Sequence, residues 1–286
     1  MRTEIRIPAN GIELAGWFYP PEGAGPHPAV VLSHGFSGVM EMGLDPFARI
    51  FQEAGLACFV YDHRNFGASG GEPRQEVDPW QQIRDMREVI SHARNLERVD
   101  ENRIGLWGTS YSGGHVLVVG AVDRRIKCVV SQVPVTSGSA AIERMVSADA
   151  MPAYLAEIYR DYDARARGEA PALVPVYQPG GETAAWAEAM GRDTAYRNEV
   201  MLRSRDLWLE YEPWSFMHRI SPTPLLMILA ANDTRVPTRD QLQAYARALE
   251  PKRLLLLDCA HYDPYMSRLD EAAEAARAFL TAHLLT

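Results

Sequence analysis

Ser110 stands in Gly108-Thr-Ser110-Tyr-Ser-Gly-Gly, between a short apolar run, Arg103 to Trp107, and the apolar stretch that ends in His115-Val-Leu-Val-Val. A serine on such a strand-to-helix corner has its Oγ pushed out of the sheet, with the helix N-terminus directly behind it. The free N–H groups of that first turn carry partial positive charge, so the corner can hold an oxyanion as well as present a nucleophile. A serine hydroxyl is a weak nucleophile unless a base takes its proton, and the base needs a group to orient it. Two later segments offer these. Asp233 follows the apolar run Leu225 to Ala230, in Ala-Ala-Asn-Asp-Thr-Arg-Val-Pro, and His261 follows the run Arg253 to Leu257, in Cys-Ala-His-Tyr-Asp-Pro-Tyr.

Each residue has a plainer explanation. Ser110 would serve as a helix N-cap, Asp233 as a turn residue, and His261 as a surface histidine. Asp240 is a rival acid, but it belongs to the following helix. The glycines around Ser110 and the order Ser, Asp, His, each after its own strand, favour the chemical reading.

The elements that must position these residues follow from pattern. Residues 3–20 alternate about Asn10-Gly11 and read as an antiparallel hairpin. Pro28 to Leu32, Ala57 to Tyr61, Arg103 to Trp107 and Ile126 to Val133 read as buried strands. Between them lie helices from Phe47 to Ala54 and from Asp78 onward, where Pro79 suits a first turn. Residues 136–219 read as almost wholly helical and rich in Tyr and Trp. Strand–helix alternation then resumes, with a helix around Gln241 to Leu249 and a last helix from about Tyr265. The pattern is α/β: a mostly parallel, doubly wound sheet with an N-terminal antiparallel hairpin and a helical cap between two late strands. The expected division is a core of 1–135 and 220–286 and a cap of 136–219. In such a sheet functional loops sit at the carboxyl ends of strands, where His34, Asp62, Ser110, Asp233 and His261 all fall.

Bulk properties narrow the partners. The chain has 286 residues, a 47% hydrophobic and 23% charged composition, and a formal net charge of −8. An acidic balance disfavours nucleic acid and anionic membranes. Cys58, Cys128 and Cys259 lie in or beside apolar runs, which reads as buried, reduced thiols in a cytoplasmic protein. The N-terminus lacks an apolar leader. A small-molecule substrate is expected, with no metal or cofactor, and a homodimer is left open.

The motifs His-Gly-Phe at 34–36, Tyr-Asp-His-Arg-Asn-Phe-Gly at 61–67, Gly-Thr-Ser-Tyr at 108–111, Asn-Asp-Thr-Arg-Val-Pro at 232–237 and His-Tyr-Asp-Pro-Tyr at 261–265 resemble the α/β-hydrolase superfamily over nearly the whole chain. They look closest to its Xaa-Pro dipeptidyl-peptidase-like and dienelactone-hydrolase-like branch. The resemblance implies Ser110 as nucleophile, His261 as general base and acid, Asp233 as its orienting carboxylate, and the N–H groups of Phe36 and Tyr111 as the oxyanion hole. One position departs from the family's pattern: the glycine usual two residues after the nucleophile is Ser112, small enough to be tolerated. His34 is expected to shape the oxyanion loop, Asp62 and Arg64 to form a bracing ion pair, and Asp263 and Tyr265 to brace the histidine loop. The Tyr111 phenol and the cap residues Trp186, Trp208 and Trp214 are candidates for substrate contact or support.

The activity expected is hydrolysis of an ester, thioester or amide of a small to medium, partly apolar substrate through an acyl-enzyme. Carbon–carbon hydrolysis of a diketone or polyketide-like compound is the alternative, followed by a short-peptide aminopeptidase, an acyltransferase, or a binder without catalysis. A dehalogenase or epoxide hydrolase is disfavoured, since it needs a carboxylate where Ser110 stands.

Overall fold

In the computed structural model, which describes residues 2–286, the alternating run at the N-terminus forms the hairpin β1 (Thr3–Ala9) and β2 (Ile12–Tyr19). Asn10 and Gly11 at its tip both have positive φ, which is what a tight two-residue hairpin turn requires. The core then alternates β3 (His27–Ser33), α1 (Asp45–Glu53), β4 (Ala57–Tyr61), α2 (Pro79–Arg94), β5 (Val99–Thr109), α3 (Tyr111–Val122) and β6 (Ile126–Gln132). An insertion follows, with α4 (Gly138–Met145), α5 (Met151–Ala166), β7 (Leu173–Val174), α6 (Gly181–Gly191), β8 (Val200–Met201) and α7 (Arg203–Leu209). The chain returns to the sheet with β9 (Leu225–Ala230), α8 (Thr238–Arg247), β10 (Lys252–Leu257) and α9 (Leu269–Leu284).

The eight-stranded sheet has the order β1-β2-β4-β3-β5-β6-β9-β10. It is parallel from β4 to β10 and antiparallel only at β1/β2 and β2/β4. Alternation along each strand feeds two separate cores. Ala29, Val31, Phe59 and Leu106 pack with α2 and α3 on one face. Val30, Leu32, Val60 and Trp107 pack with α1 and α9 on the other. All three cysteines are buried and unpaired on that second face. The chain runs from β3 to β4 on one side and resumes at β5 on the other, so the winding reverses between β3 and β5. Ligands of open α/β sheets bind at such a reversal, beyond the carboxyl ends of the strands. There β3 delivers His34-Gly35-Phe36 and β5 delivers Ser110.

Three boundaries differ from the sequence reading. The insertion is not wholly helical: β7 and β8 pair as an antiparallel ribbon of two residues each. Helix α8 begins at Thr238, after Pro237, and ends where Ala248 turns extended. The last helix starts at Leu269 instead of Tyr265, because Asp263–Tyr265 forms a separate 3-10 turn that ends at Met266, φ −130° and ψ −98°. No described helix is long and apolar enough to cross a membrane.

Candidate active site

Ser110 is the single residue between β5 and α3, and its backbone takes φ +54°, ψ −115°. A non-glycine residue held there stores roughly 1–3 kcal/mol of strain, tolerated where the surroundings over-determine it. They do so here. The Ser110 N–H donates to Gln132 O at 2.8 Å, and its carbonyl accepts from the Val135 N–H at 2.9 Å. The corner is tight enough that a Cβ at Gly108 would lie 2.2 Å from the Ser112 carbonyl oxygen. The N-cap explanation fails, because the Ser110 side chain caps no helical N–H.

The hydroxyl faces His261 instead. His261 Nε2 lies 3.1 Å from Ser110 Oγ, and His261 Nδ1 lies 2.7 Å from Asp233 Oδ2. A carboxylate only accepts hydrogen bonds, so Nδ1 carries the proton and Nε2 is left to accept from the serine. Asp233 is itself fixed by three more donors. The Arg235 and Val236 N–H groups reach Oδ1 at 2.9 and 2.7 Å, and Gln241 Nε2 reaches Oδ2 at 3.0 Å. The rival acid Asp240 points elsewhere and pairs with Arg144. Asp263 holds the histidine loop by accepting from the Ala260 N–H and the Ser267 hydroxyl, each at 2.7 Å. Tyr265 does so by hydrogen bonding through its phenol to Thr109.

His34-Gly35-Phe36 lies against the serine; a Cβ on Gly35 would meet Ser110 Cβ at 3.2 Å. The N–H groups of Phe36 and Tyr111 donate to no other group among the described residues, so both remain free for an oxygen anion. His34 is buried, with Nδ1 3.0 Å from its neighbour's carbonyl, Gly35 O, and Nε2 accepting from the His63 N–H at 3.4 Å. Burial pushes its pKa down to about 4, which favours the neutral imidazole.

Ser112, the departure from the family pattern, has a structural partner set the sequence did not reveal. Its hydroxyl, that of Ser33 and His63 Nε2 form a closed triangle with sides of 3.0, 3.0 and 3.1 Å. The small residues that the close packing does demand come next: a Cβ at Gly113 would lie 2.8 Å from Pro134 Cα, and one at Gly114 2.3 Å from Val135 O.

One expectation is corrected. Asp62 and Arg64 do not pair. Asp62 accepts from the Met40 and Ala68 N–H groups at 2.7 and 2.8 Å, with burial raising its pKa to about 6. Arg64 instead makes a two-point contact with Asp85 of α2 at 2.8 and 2.9 Å. The Tyr111 phenol, left open between substrate contact and support, is buried against Phe36, Trp208 and Tyr211 and is not in the wall of the cavity.

That cavity has a volume of about 280 Å³ and is walled by the strand-end loops on one side and the insertion on the other. Trp208 stacks on Phe36 at 5.1 Å between ring centres, and Trp186 stacks on Tyr262 at 4.9 Å. Two insertion tryptophans thus roof the loops that carry Phe36 and the histidine. Trp214 does not reach the cavity; its ring lies under the Arg247 guanidinium. Sequence reasoning missed Met42, Val135, Ala187 and Tyr262 in the wall, and held Tyr196 only as one of the insertion's aromatics. Only Tyr262, beside His261, carried a local signal.

A family model described as alpha/beta hydrolase fold matches residues 28–265. The chain belongs to that family. It is 32% identical over 252 residues to the quorum-quenching protein AidA of Acinetobacter baumannii, covering 84% of this chain and 81% of that protein. It is 31% identical over 268 residues to the thiohydrolase aneE of Aspergillus aculeatus, covering 87% and 82%. The polyketide transferase grgF of a Penicillium species is 28% identical over 284 residues, covering 96% and 94%. The crystal structure of the alpha/beta hydrolase GrgF from Penicillium superposes over the full length of both chains with a TM-score of 0.89 at 27% identity. Family and relatives together support hydrolase chemistry in general.

Proposed function

We propose that the protein is a serine hydrolase that cleaves esters or thioesters of partly apolar acyl groups through an acyl-enzyme. The observation that carries this reading is the unbroken line Ser110 Oγ, His261 Nε2, His261 Nδ1, Asp233 Oδ2, with spacings of 3.1 and 2.7 Å across the ring. As substrate binds, the acyl carbonyl oxygen turns toward the Phe36 and Tyr111 N–H groups. Ser110 Oγ attacks the carbonyl carbon while its proton passes to His261 Nε2, and Asp233 stabilises the resulting imidazolium. The tetrahedral oxyanion is held by the two N–H donors, each worth roughly 2.7–4 kcal/mol by analogy with other serine hydrolases. His261 then protonates the departing alkoxide or thiolate. Water, deprotonated by the same nitrogen, releases the acid and restores the serine.

The wall is compatible with an acyl ligand: aromatic and aliphatic side chains make up just over half of it, and Arg144, Arg235, Thr183 and Thr234 add polar groups beside Ser110 and His261. No Asp or Glu is among the lining residues. That disfavours the aminopeptidase reading, which needs a carboxylate for the substrate's free amine. Likeness to a thiohydrolase favours a thioester, and likeness to a polyketide transferase favours a second reading, transfer of the acyl group to an acceptor alcohol. The test is a matched series of acyl esters and acyl thioesters, with and without an added alcohol. Release of free acid with loss of activity in Ser110→Ala is the expected result. Alkyl ester as the sole product would move the assignment to a transferase, and turnover unchanged in Ser110→Ala would refute it.

A further inference from the structure

Charge in the wall of the Ser110 cavity has one sign. The chain as a whole is acidic, with 37 Asp and Glu against 29 Lys and Arg. The lining residues nevertheless include two arginines, Arg144 and Arg235, and no carboxylate. What holds the two arginines differs. Arg144, on α4, is neutralised by Asp240 of α8. Arg235 spends its backbone N–H on Asp233 at 2.9 Å, but its guanidinium pairs with no carboxylate among the described residues. It is exposed, at the rim of the cavity.

Arg235 lies on the histidine's side of the reacting centre. Tyr262 packs edge-on against the His261 ring, with 4.9 Å between ring centres. Burial raises the pKa of the Tyr262 phenol, and a hydrogen bond to Thr183 and the charge of Arg235 oppose that rise, so the guanidinium is within electrostatic reach of this ring. Thr183 accepts from the Tyr262 hydroxyl at 3.0 Å, which leaves its own proton free to donate. The Thr234 hydroxyl is already spent on Glu182, at 2.7 Å, a carboxylate outside the wall. Farther along the insertion the wall turns apolar, where Met42, Trp186 and Ala187 pack in a hydrophobic cluster of their own. A ligand that spans the cavity therefore meets an apolar surface and, beside the histidine, one unpaired cation. A single cation balances a single negative charge, and the planar guanidinium fork matches the two oxygens of a carboxylate.

We infer that Arg235 determines specificity by holding a carboxylate, and that the substrate is an ester or thioester bearing that carboxylate as well as an apolar chain. The inference rests on the serine-hydrolase reading for the bond cleaved. Its test uses binding alone, so the two can fail separately: a charge preference in a protein whose Ser110 resists a fluorophosphonate would keep the anion site and remove the hydrolase. The carboxylate can belong to the acyl part or to the alcohol, and two probes separate these sources. Monohexyl succinate carries it on the acyl side and hexanoylglycolate on the alcohol side. Each is titrated by calorimetry into the inert Ser110→Ala protein, beside its own methyl ester as the uncharged counterpart.

At least one of the two acids is expected to bind roughly tenfold or more tightly than its methyl ester, the lower end for a hydrogen bond to a charged group. The acid that does so names the side of the substrate that carries the charge. Adding Arg235→Gln removes the guanidinium and keeps the backbone N–H that holds Asp233, so it should abolish the preference while leaving the methyl esters unchanged. Neither acid preferred over its ester, a preference that survives Arg235→Gln, or equal losses for acid and ester in that variant would each overturn the inference.

Discussion

Replacing Asp233 by Asn is the substitution whose consequence the geometry specifies most fully. The carboxylate accepts four hydrogen bonds, from the Arg235 and Val236 N–H groups on Oδ1 and from Gln241 and His261 on Oδ2. An amide oxygen can keep the two backbone bonds, which leaves its NH₂ facing Gln241 Nε2 and His261 Nδ1. Both of those nitrogens are donors. His261 escapes the clash by moving its proton to Nε2, and that nitrogen can then no longer accept from Ser110. Loss of the working tautomer costs about 10⁴ in kcat in other serine hydrolases, or about 5.5 kcal/mol of barrier. Stability falls less, by roughly 1–3 kcal/mol, since one amide donor loses a partner while Gln241 still donates to Val236 O. The assay is kcat on the best ester found, with a thermal melt on the same sample to show that the fold survives. As a contrast, Asp240→Asn removes only the partly exposed pair with Arg144, worth about 0–1 kcal/mol, and leaves kcat near wild type. A folded Asp233→Asn protein within tenfold of wild-type kcat would refute the orienting role of this carboxylate.

Other substitutions test the scaffold. Ser112→Gly deletes one corner of the triangle with Ser33 and His63, which still bond each other at 3.1 Å, so a melt should register a loss of about 1 kcal/mol with kcat barely changed. A large fall in kcat there would mean that the triangle positions the nucleophile. Gly108→Ala drives a methyl to 2.2 Å from the Ser112 carbonyl, and overpacking at the tightest point of the corner should cost at least about 3 kcal/mol in denaturant titration. His34 predicts a pH effect with a definite sign. Its folded pKa of about 4 lies below the ordinary 6.5, so the folded state binds fewer protons, and the stability present above pH 6.5 is lost as pH falls toward 4. By pH 5 that loss is about 2 kcal/mol, and His34→Gln should remove that share of the acid sensitivity in urea titrations at pH 7 and 5. Buried His63 acts in the same direction and remains in both proteins, whereas Asp62, raised to about 6, acts oppositely. An unchanged pH slope in the variant would refute the burial argument for His34.

The strand ends were legible because each is a short apolar run closed by turn residues, and β9 was bounded correctly at both ends. The ribbon of β7 and β8 was not, since two residues carry no periodicity. Asp62 and Arg64 show the limit more sharply. The family resemblance implied a pair, but the carboxylate turns into its own loop and the guanidinium reaches Asp85, twenty-one positions from Arg64. Adjacency in sequence is silent about which long-range partner wins. The triangle at Ser112 was hidden for the same reason, its members coming from β3, the loop after β4, and α3. Among the candidate tryptophans, composition identified an aromatic insertion but not its inward face: Trp186 and Trp208 meet the cavity, and Trp214 lies under Arg247.

The most direct test of the central claim is to trap the covalent intermediate. The wild-type protein, mixed with a fluorophosphonate probe or a slowly deacylated ester and digested, should yield one modified peptide with the adduct on Ser110 Oγ, at a rate that collapses in His261→Ala. An adduct on any other residue, or labelling of Ser110 at an undiminished rate without the imidazole, would contradict the account.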